Sequence, residues 1–256
     1  MCRASSLAAL LLALTVAGAA AGSTPGPSFK DTPADSSGAP DVSSVVVASD
    51  ARGVTFVIRT ADAGSWTNAA AILDIDADAN PATGNAGGAA GIELSYVLHS
   101  LHDKFTLDRS NGESTANPAA TATLSGATLT IAVPFAELGP SDRIGFFIAT
   151  PGPNGADRAP NAGEWQLSPN AAVTAISPSF SPATPRRGHT FALTRVTTRF
   201  SDGTSGTAVA TCTARLGTVR LAAGCRWRLR ANARGKKLTV VVRAAGLAKM
   251  VRFTVR

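Results

Sequence analysis

The chain has 256 residues, of which 45% are hydrophobic and 16% are charged. Disordered chains have lower hydrophobicity and more charge, so this composition indicates folded domains. With one Tyr and two Met, the chain has neither a Tyr-rich binding surface nor a Met-rich groove. Beyond the N-terminus, no apolar run is long enough to predict a membrane span.

Residues 1–22 have the layout of a secretory signal peptide. Arg3 precedes the apolar run 7–16, and small residues occupy 17–22. A short membrane anchor is the alternative interpretation, but the run is too short to span a bilayer. We therefore expect a secreted, extracellular protein whose mature chain begins with a disordered Pro/Ser/Gly-rich leader over 23–40.

The charges divide the chain into two halves of opposite sign. Residues 23–170 contain seven Lys or Arg and sixteen Asp or Glu, whereas 171–256 contain sixteen basic residues and one acidic residue. Such a sharp change predicts a domain boundary near residue 170. Three prolines within 178–185 predict a stiff linker over 171–188, followed by a basic domain over 189–256.

The acidic half, residues 41–170, consists of short strand-like segments separated by turn residues. Alternation of apolar and polar residues is clear over 128–133, and it predicts a strand with one buried face. One helical turn is predicted over 134–138, where Gly139 ends it. Many short strands without crossover helices predict an all-β, antiparallel sandwich.

An aspartate-rich segment ends one of these strands. Asp74, Asp76 and Asp78 alternate along an extended chain, so their carboxylates share one face and repel each other. A Ca²⁺ ion bridging their oxygens would relieve that repulsion, and Glu93 and Asp157 are candidates for further ligands. The alternative is a solvated acidic loop without metal.

Several motifs of this half resemble one family. LDIDADANPATG over 73–84, followed by GIELSY over 91–96, resembles the signature of carbohydrate-binding family 9-like modules, which are related to DOMON domains. GATLTIAVP over 126–134 and DRAPNAGEW over 157–165 resemble later motifs of the same family. The likeness covers about residues 41–167. It implies a β-sandwich with structural Ca²⁺ and, in members that bind sugars, stacking of the sugar on Trp rings.

Three aromatic residues are candidate ligand contacts. Trp66 lies in a polar loop and is the best candidate for a sugar platform, because stacking needs an exposed flat ring. It could equally fold back as a lid on the core. Tyr96 and Trp165 are further candidates, and core packing is the competing interpretation for both.

In the basic half, Cys212 and Cys225 predict one disulfide in an exported chain, with two free thiols as the alternative. Their spacing fits two neighbouring strands of one sheet. Alternation places Trp227 in the core beside the disulfide. The outward positions of the same strand form a predicted basic face of Arg226, Arg228 and Arg230. TCTARLG over 211–217 and the segment around it resemble bacterial immunoglobulin-like modules, over about residues 172–256.

The predicted basic face suggests contact with an anionic polymer, whereas a solvated edge that discourages aggregation is the alternative. No nucleic acid is expected, because stacking aromatics are missing from that face. We find no nucleophile elbow, phosphate loop or dinucleotide fingerprint, which leaves a hydrolase as a distant third class. The favoured function is a secreted, non-catalytic module that binds an extracellular glycan or cell-envelope polymer. The alternative is an interaction scaffold without a sugar site, whose basic domain associates with anionic surfaces.

Overall fold

The structure is a computed structural model that describes residues 26–36, 38–62, 66, 68–139 and 141–256. The predicted signal peptide, residues 1–22, lies outside the described residues. The described chain forms two antiparallel β-sandwich domains, which confirms the predicted fold class. None of the helices in the described ranges is long and apolar enough to cross a bilayer.

The first sandwich is built from short strands and one helical turn, α1 (Phe135–Leu138), where the sequence predicts it. Its strands are β1 (Ser28–Lys30), β2 (Val42–Ser49), β3 (Gly53–Thr60), β4 (Ala71–Asp76), β5 (Leu94–Leu98), β6 (Phe105–Arg109), β7 (Ser114–Thr115), β8 (Thr121–Ser125), β9 (Thr128–Pro134), β10 (Ile144–Gly152), β11 (Gly155–Ala159) and β12 (Trp165–Leu167). One sheet has the order β1-β2-β3-β9-β8. The other has the order β11-β10-β4-β5-β6-β7, with β12 also paired to β10. A short 3₁₀ turn at Ala86–Gly88 lies between β4 and β5.

The alternating segments turn one face of each sheet inward. In β9, Leu129, Ile131 and Val133 are buried while the residues between them are half-buried, as a period of two requires. Across the core, Phe56 of the first sheet and Phe146 of the second meet edge to face, with ring centroids 5.1 Å apart. The core therefore lies between the two sheets of the domain.

The predicted disordered leader over 23–40 is wrong in its middle part. Strand β1 pairs with β2, and Phe29 packs on the core with its ring 5.6 Å from Trp165 and 5.2 Å from Phe146. Just before β1, Pro27 forms a β-bridge with Gly206 of the second domain. An apolar ring between polar neighbours is enough to order the segment, because its burial offsets the entropy of fixing a few residues.

The second sandwich has two smaller sheets. Its strands are β13 (Val173–Ser181), β14 (Thr190–Phe200), β15 (Ser205–Thr207), β16 (Thr211–Leu216), β17 (Val219–Arg220), β18 (Arg226–Arg228), β19 (Lys237–Ala244) and β20 (Leu247–Thr254), with a 3₁₀ turn at Ala231–Ala233. One sheet has the order β13-β14-β15, with β18 also paired to β14, and the other has the order β17-β16-β19-β20. Phe191, Trp227 and Val240 are buried between them.

The predicted Pro-rich linker over 171–188 is wrong, because its first half is strand β13. Pro178 lies within this strand, opposite Val196 of β14. A proline is tolerated there because β13 is the edge strand of its sheet, where one side of the backbone has no partner strand. The sequence pattern of prolines could not distinguish a free linker from an edge strand.

The Cys212–Cys225 disulfide is present, but it does not join neighbouring strands of one sheet as the spacing suggested. Cys212 lies on β16, whereas Cys225 directly precedes β18 and its carbonyl accepts a hydrogen bond from Leu193 of β14. Those strands belong to different sheets. The disulfide therefore links the two layers of the second sandwich.

Candidate functional sites

The aspartate-rich turn follows β4, a central strand of the larger sheet. The chain leaves the sheet at Asp76, and β5 returns to it just after Glu93. This return brings carboxylate oxygens of Asp76, Asp78 and Glu93 within 4.8 Å of one another. Three of the five predicted calcium ligands thus lie together.

Backbone and hydroxyl groups hold these carboxylates in place. The N–H of Ala77 donates to Glu93 Oε2 at 2.8 Å, and the N–H of Asn80 lies 3.0 Å from both Asp76 Oδ1 and Asp78 Oδ1. The Thr83 hydroxyl lies within 3.1 Å of four acceptor oxygens, contributed by Asp78, Asn80 and Glu93. One hydroxyl proton cannot satisfy four acceptors. The turn therefore gathers more oxygen acceptors than donors.

Gly84 allows this turn to approach β5 closely. Its φ is +78°, and a Cβ atom there would lie 2.4 Å from Glu93 Oε1 and 2.5 Å from the Ile92 carbonyl oxygen. Any side chain would displace Glu93, which glycine avoids. The glycine of the NPATG motif thus leaves room for the Glu93 carboxylate beside the turn.

The electrostatics of the turn favour a bound cation or proton. Burial, with a further contribution from Asp78, raises the pKa of Asp76, and burial likewise raises the pKa of Glu93. The carboxylates, the Thr83 hydroxyl and the Asn80 carbonyl are all oxygen ligands, and this set fits Ca²⁺ better than a metal that prefers nitrogen or sulfur.

Two predicted ligands are elsewhere. Asp74 is 6% exposed on the outer face of the sheet, where burial raises its pKa to about 6 and a hydrogen bond with Ser95 opposes the shift. Asp157 instead lies near Asp31 and Asp35, and its Oδ2 accepts the N–H of Val42 at 2.7 Å. The five-ligand prediction is therefore wrong for Asp157, and Asp74 is not part of the three-carboxylate group. Sequence position alone could not show that β11 is at the far side of β10.

The structure also contradicts the predicted sugar platform. Trp66 is only 2% exposed and belongs to the core of the first sandwich. Tyr96 is fully buried, and its hydroxyl donates to Glu137 Oε2 at 3.0 Å. Trp165 is half-buried and stacks on Phe29. All the aromatic residues of the chain are among those described, and every one is buried or half-buried.

The basic residues of the second domain do face solvent. Arg226, Arg228 and Arg230 are exposed, while Trp227 and Leu229 between them are buried. A second set of arginines, not predicted from the sequence, lies on the outer face of the β17-β16-β19-β20 sheet. These exposed side chains are Arg215, Arg220, Arg243 and Arg252. The alternation of buried and exposed positions along β16, β19 and β20 could have identified these arginines as exposed. Only the pairing register shows that they lie next to each other.

Two surface cavities lie among these basic side chains. The first, of about 570 Å³, is on the outer face of the sheet and is lined by the four arginines of the second set together with Met250 and Thr239. The other, of about 430 Å³, is lined by Arg220, Arg228, Arg230 and Lys236. Arg220 lines both cavities.

The second domain has one acidic residue, and its carboxylate is already occupied. Asp202 accepts the N–H of Ser168 at 2.8 Å, the N–H of Thr204 at 3.0 Å and the Thr204 hydroxyl at 2.6 Å. These hydrogen bonds lower the pKa of Asp202 despite partial burial, which raises it. Asp202 therefore fastens the two domains at their junction and does not neutralise the arginines.

Comparisons with known proteins identify no family. No family model and no curated protein matches the chain. Among solved structures, the chain is similar to one described as "Structure of amphioxus IgVJ-C2 molecule", at 12% identity and a TM-score of 0.21, over 80% of this chain and 99% of that chain. The sandwich fold thus follows from the strands and sheets of the chain itself.

Proposed function

We propose that the protein is a secreted, non-catalytic two-domain module whose basic second domain associates with anionic polymers of the extracellular surface. This proposal rests on the exposed arginines around two cavities, in a domain whose one acidic side chain, Asp202, is already engaged in hydrogen bonds. The predicted signal peptide and the disulfide support an exported protein. The proposed ligand site differs from the one that the carbohydrate-binding family 9-like resemblance implies for residues 41–167, because the aromatic rings of the first domain are not exposed and the arginines lie on the second domain.

Retention of the full-length protein on immobilised polymers tests this function. We expect retention on heparin and polygalacturonate but not on neutral dextran, and release as salt approaches about 1 M, where charges are screened beyond about 3 Å. Salt-independent retention on a neutral polysaccharide would indicate recognition of sugar rings instead. Failure to bind any of the anionic polymers would contradict the proposed function.

We further propose that Asp76, Asp78 and Glu93 hold a structural Ca²⁺ ion in the first domain. The surplus of oxygen acceptors around the Thr83 hydroxyl supports this. Calcium at a hundred times its Kd should stabilise the folded protein by about 2.7 kcal/mol, because only the folded chain assembles the three ligands.

Thermal unfolding with Ca²⁺, with Mg²⁺ and with EDTA checks the calcium proposal. Asp78→Asn keeps the shape of the side chain and should abolish the stabilisation by calcium. Asp103→Asn, at an exposed aspartate outside the turn, serves as the matched control and should leave it unchanged. If wild-type protein unfolds at the same temperature in Ca²⁺ and EDTA, the turn is a solvated acidic loop.

A further inference from the structure

A row of arginines crosses the outer face of the β17-β16-β19-β20 sheet. Arg220 pairs with Arg215, Arg215 with Thr239, and Thr239 with Arg252. Directly paired residues project to the same face of a sheet, and strands lie about 4.8 Å apart, so the row is about 14 Å long. A second arginine position, Arg243, lies on the same face four residues along β19 from Thr239.

This arrangement places like charges side by side on the sheet. Like charges directly opposite each other on neighbouring strands repel, and Arg215 faces Arg220 in this way. Among the described residues, none of these arginines has a carboxylate within ion-pair distance. Protection of a sheet edge does not account for the row, because Arg215 lies on β16, an inner strand with partners on both sides.

The row continues past the edge of the sheet. Arg220, on the edge strand β17, lines the cavity on the sheet face and also the cavity that contains Arg228, Arg230 and Lys236. A single small anion would be satisfied by two of these groups. A series of cations extending across two adjoining cavities instead matches a polymer with charges at intervals along its chain.

The neutral residues beside the arginines indicate the chemistry of that polymer. Thr213 and Thr239 offer hydroxyl groups on the sheet face, and Asn232 offers an amide in the second cavity. Val241 and exposed Met250 are directly paired on neighbouring strands. They form an apolar surface on the sheet face between Arg243 and the row that contains Arg215. Among the described residues, no aromatic ring lines either cavity, so nucleic-acid bases would find no ring on which to stack. Hydroxyl groups can hydrogen-bond sugar hydroxyls, the apolar surface can contact the sugar ring, and guanidinium groups can bind carboxylate or sulfate through two N–H groups. Together they suit a sugar chain that carries carboxylate or sulfate groups.

We propose that the two cavities form one binding track for a linear acidic polysaccharide, with Arg220 as the link between its halves. The track consists of Arg215, Arg220, Arg228, Arg230, Lys236, Arg243 and Arg252. This inference rests on the proposed association with anionic polymers and specifies its ligand class and its path.

Heparin fragments of two lengths test the track in the full-length protein. A dodecasaccharide can occupy both cavities, whereas a tetrasaccharide can occupy one, so wild-type protein should bind the longer fragment more tightly. Arg220→Thr should weaken dodecasaccharide binding about tenfold, corresponding to about 1.4 kcal/mol, and bring it close to the tetrasaccharide affinity. Titration calorimetry at fixed salt measures both affinities.

Two controls separate a track from net charge and from misfolding. Arg199→Thr removes the same charge from an exposed strand position on the other sheet, and it should leave the length dependence intact. Arg220→Thr removes a like-charge pair, so the free variant should unfold at the same or a higher temperature than wild type. A lower unfolding temperature than wild type would therefore show that a variant binds less because it has lost its fold.

The outcomes are distinct. If both variants weaken binding equally, net charge alone attracts the polymer and the track is wrong. If wild-type protein binds both fragments equally, the track is wrong while the proposed function stands. If single-stranded DNA of equal charge binds more tightly than the dodecasaccharide and depends on Arg220, the ligand class is wrong. If neither fragment binds, the proposed function fails as well.

Discussion

Replacing Trp66 with alanine should lower the free energy of unfolding by about 3–5 kcal/mol, as truncation of a large buried aromatic does. Trp66 is 2% exposed within the core of the first sandwich, and its indole N–H has no hydrogen-bond partner among the described residues. Its contribution to stability must therefore come from apolar packing. Chemical denaturation of the variant and wild-type proteins measures the loss.

Leu101 provides the matched control for that prediction. Its side chain is 74% exposed and lines the same surface depression as Trp66. Leu101→Ala should change stability by no more than about 0.5 kcal/mol, as is usual for surface substitutions. A Trp66→Ala protein of wild-type stability that lost retention on neutral polysaccharides would show that the ring serves a ligand rather than the core.

Removing the disulfide should destabilise the second domain by about 3 kcal/mol, the loop-closure contribution of a cross-link enclosing a loop of this size. The two cysteines are 13 residues apart, and the bond joins the two sheets of that domain. The double substitution Cys212→Ala with Cys225→Ala removes the cross-link. The unfolded chain then gains conformational freedom that the closed loop had restricted, which favours unfolding. Differential scanning calorimetry should show an earlier transition for the second domain.

The first domain provides an internal reference for this experiment. It has its own core and contains no cysteine of the disulfide, so its transition should stay at the wild-type temperature. Wild-type protein under reducing conditions should behave like the double variant. Equal lowering of both transitions would mean that the two domains unfold as one cooperative unit, and the bond would then stabilise more than its own sandwich.

Features with local causes were predictable from the sequence. Period-two alternation identified strands such as β9 and β19, because each has one face in a core. Gly139 marks the end of the single helical turn, with φ of +81°. The group formed by Asp76, Asp78 and Glu93 was also predictable in part, because β4 and β5 follow each other in the chain and pair with each other, so the ends of their connection lie close together.

Features that depend on distant pairing were not predictable. Whether Trp66 faces solvent depends on the packing of a loop, which periodicity does not report. Asp157 was assigned to the wrong acidic group because β11 pairs with β10 and not with β4. The arginine row required the register of four strands, because a shift of one strand by one residue would move the arginine of that strand to the opposite face.

The β-bridge between Pro27 and Gly206 has a consequence for how such domains can be exchanged during evolution. The segment that begins the first sandwich reaches the second one, and a Cβ at Gly206 would lie 2.0 Å from the Gly26 carbonyl oxygen. A recombination event at the junction near residue 170 would give the basic domain a new neighbour without this matched backbone contact. A new first domain would keep this contact only if it also placed an extended backbone segment against Gly206, where a side chain does not fit.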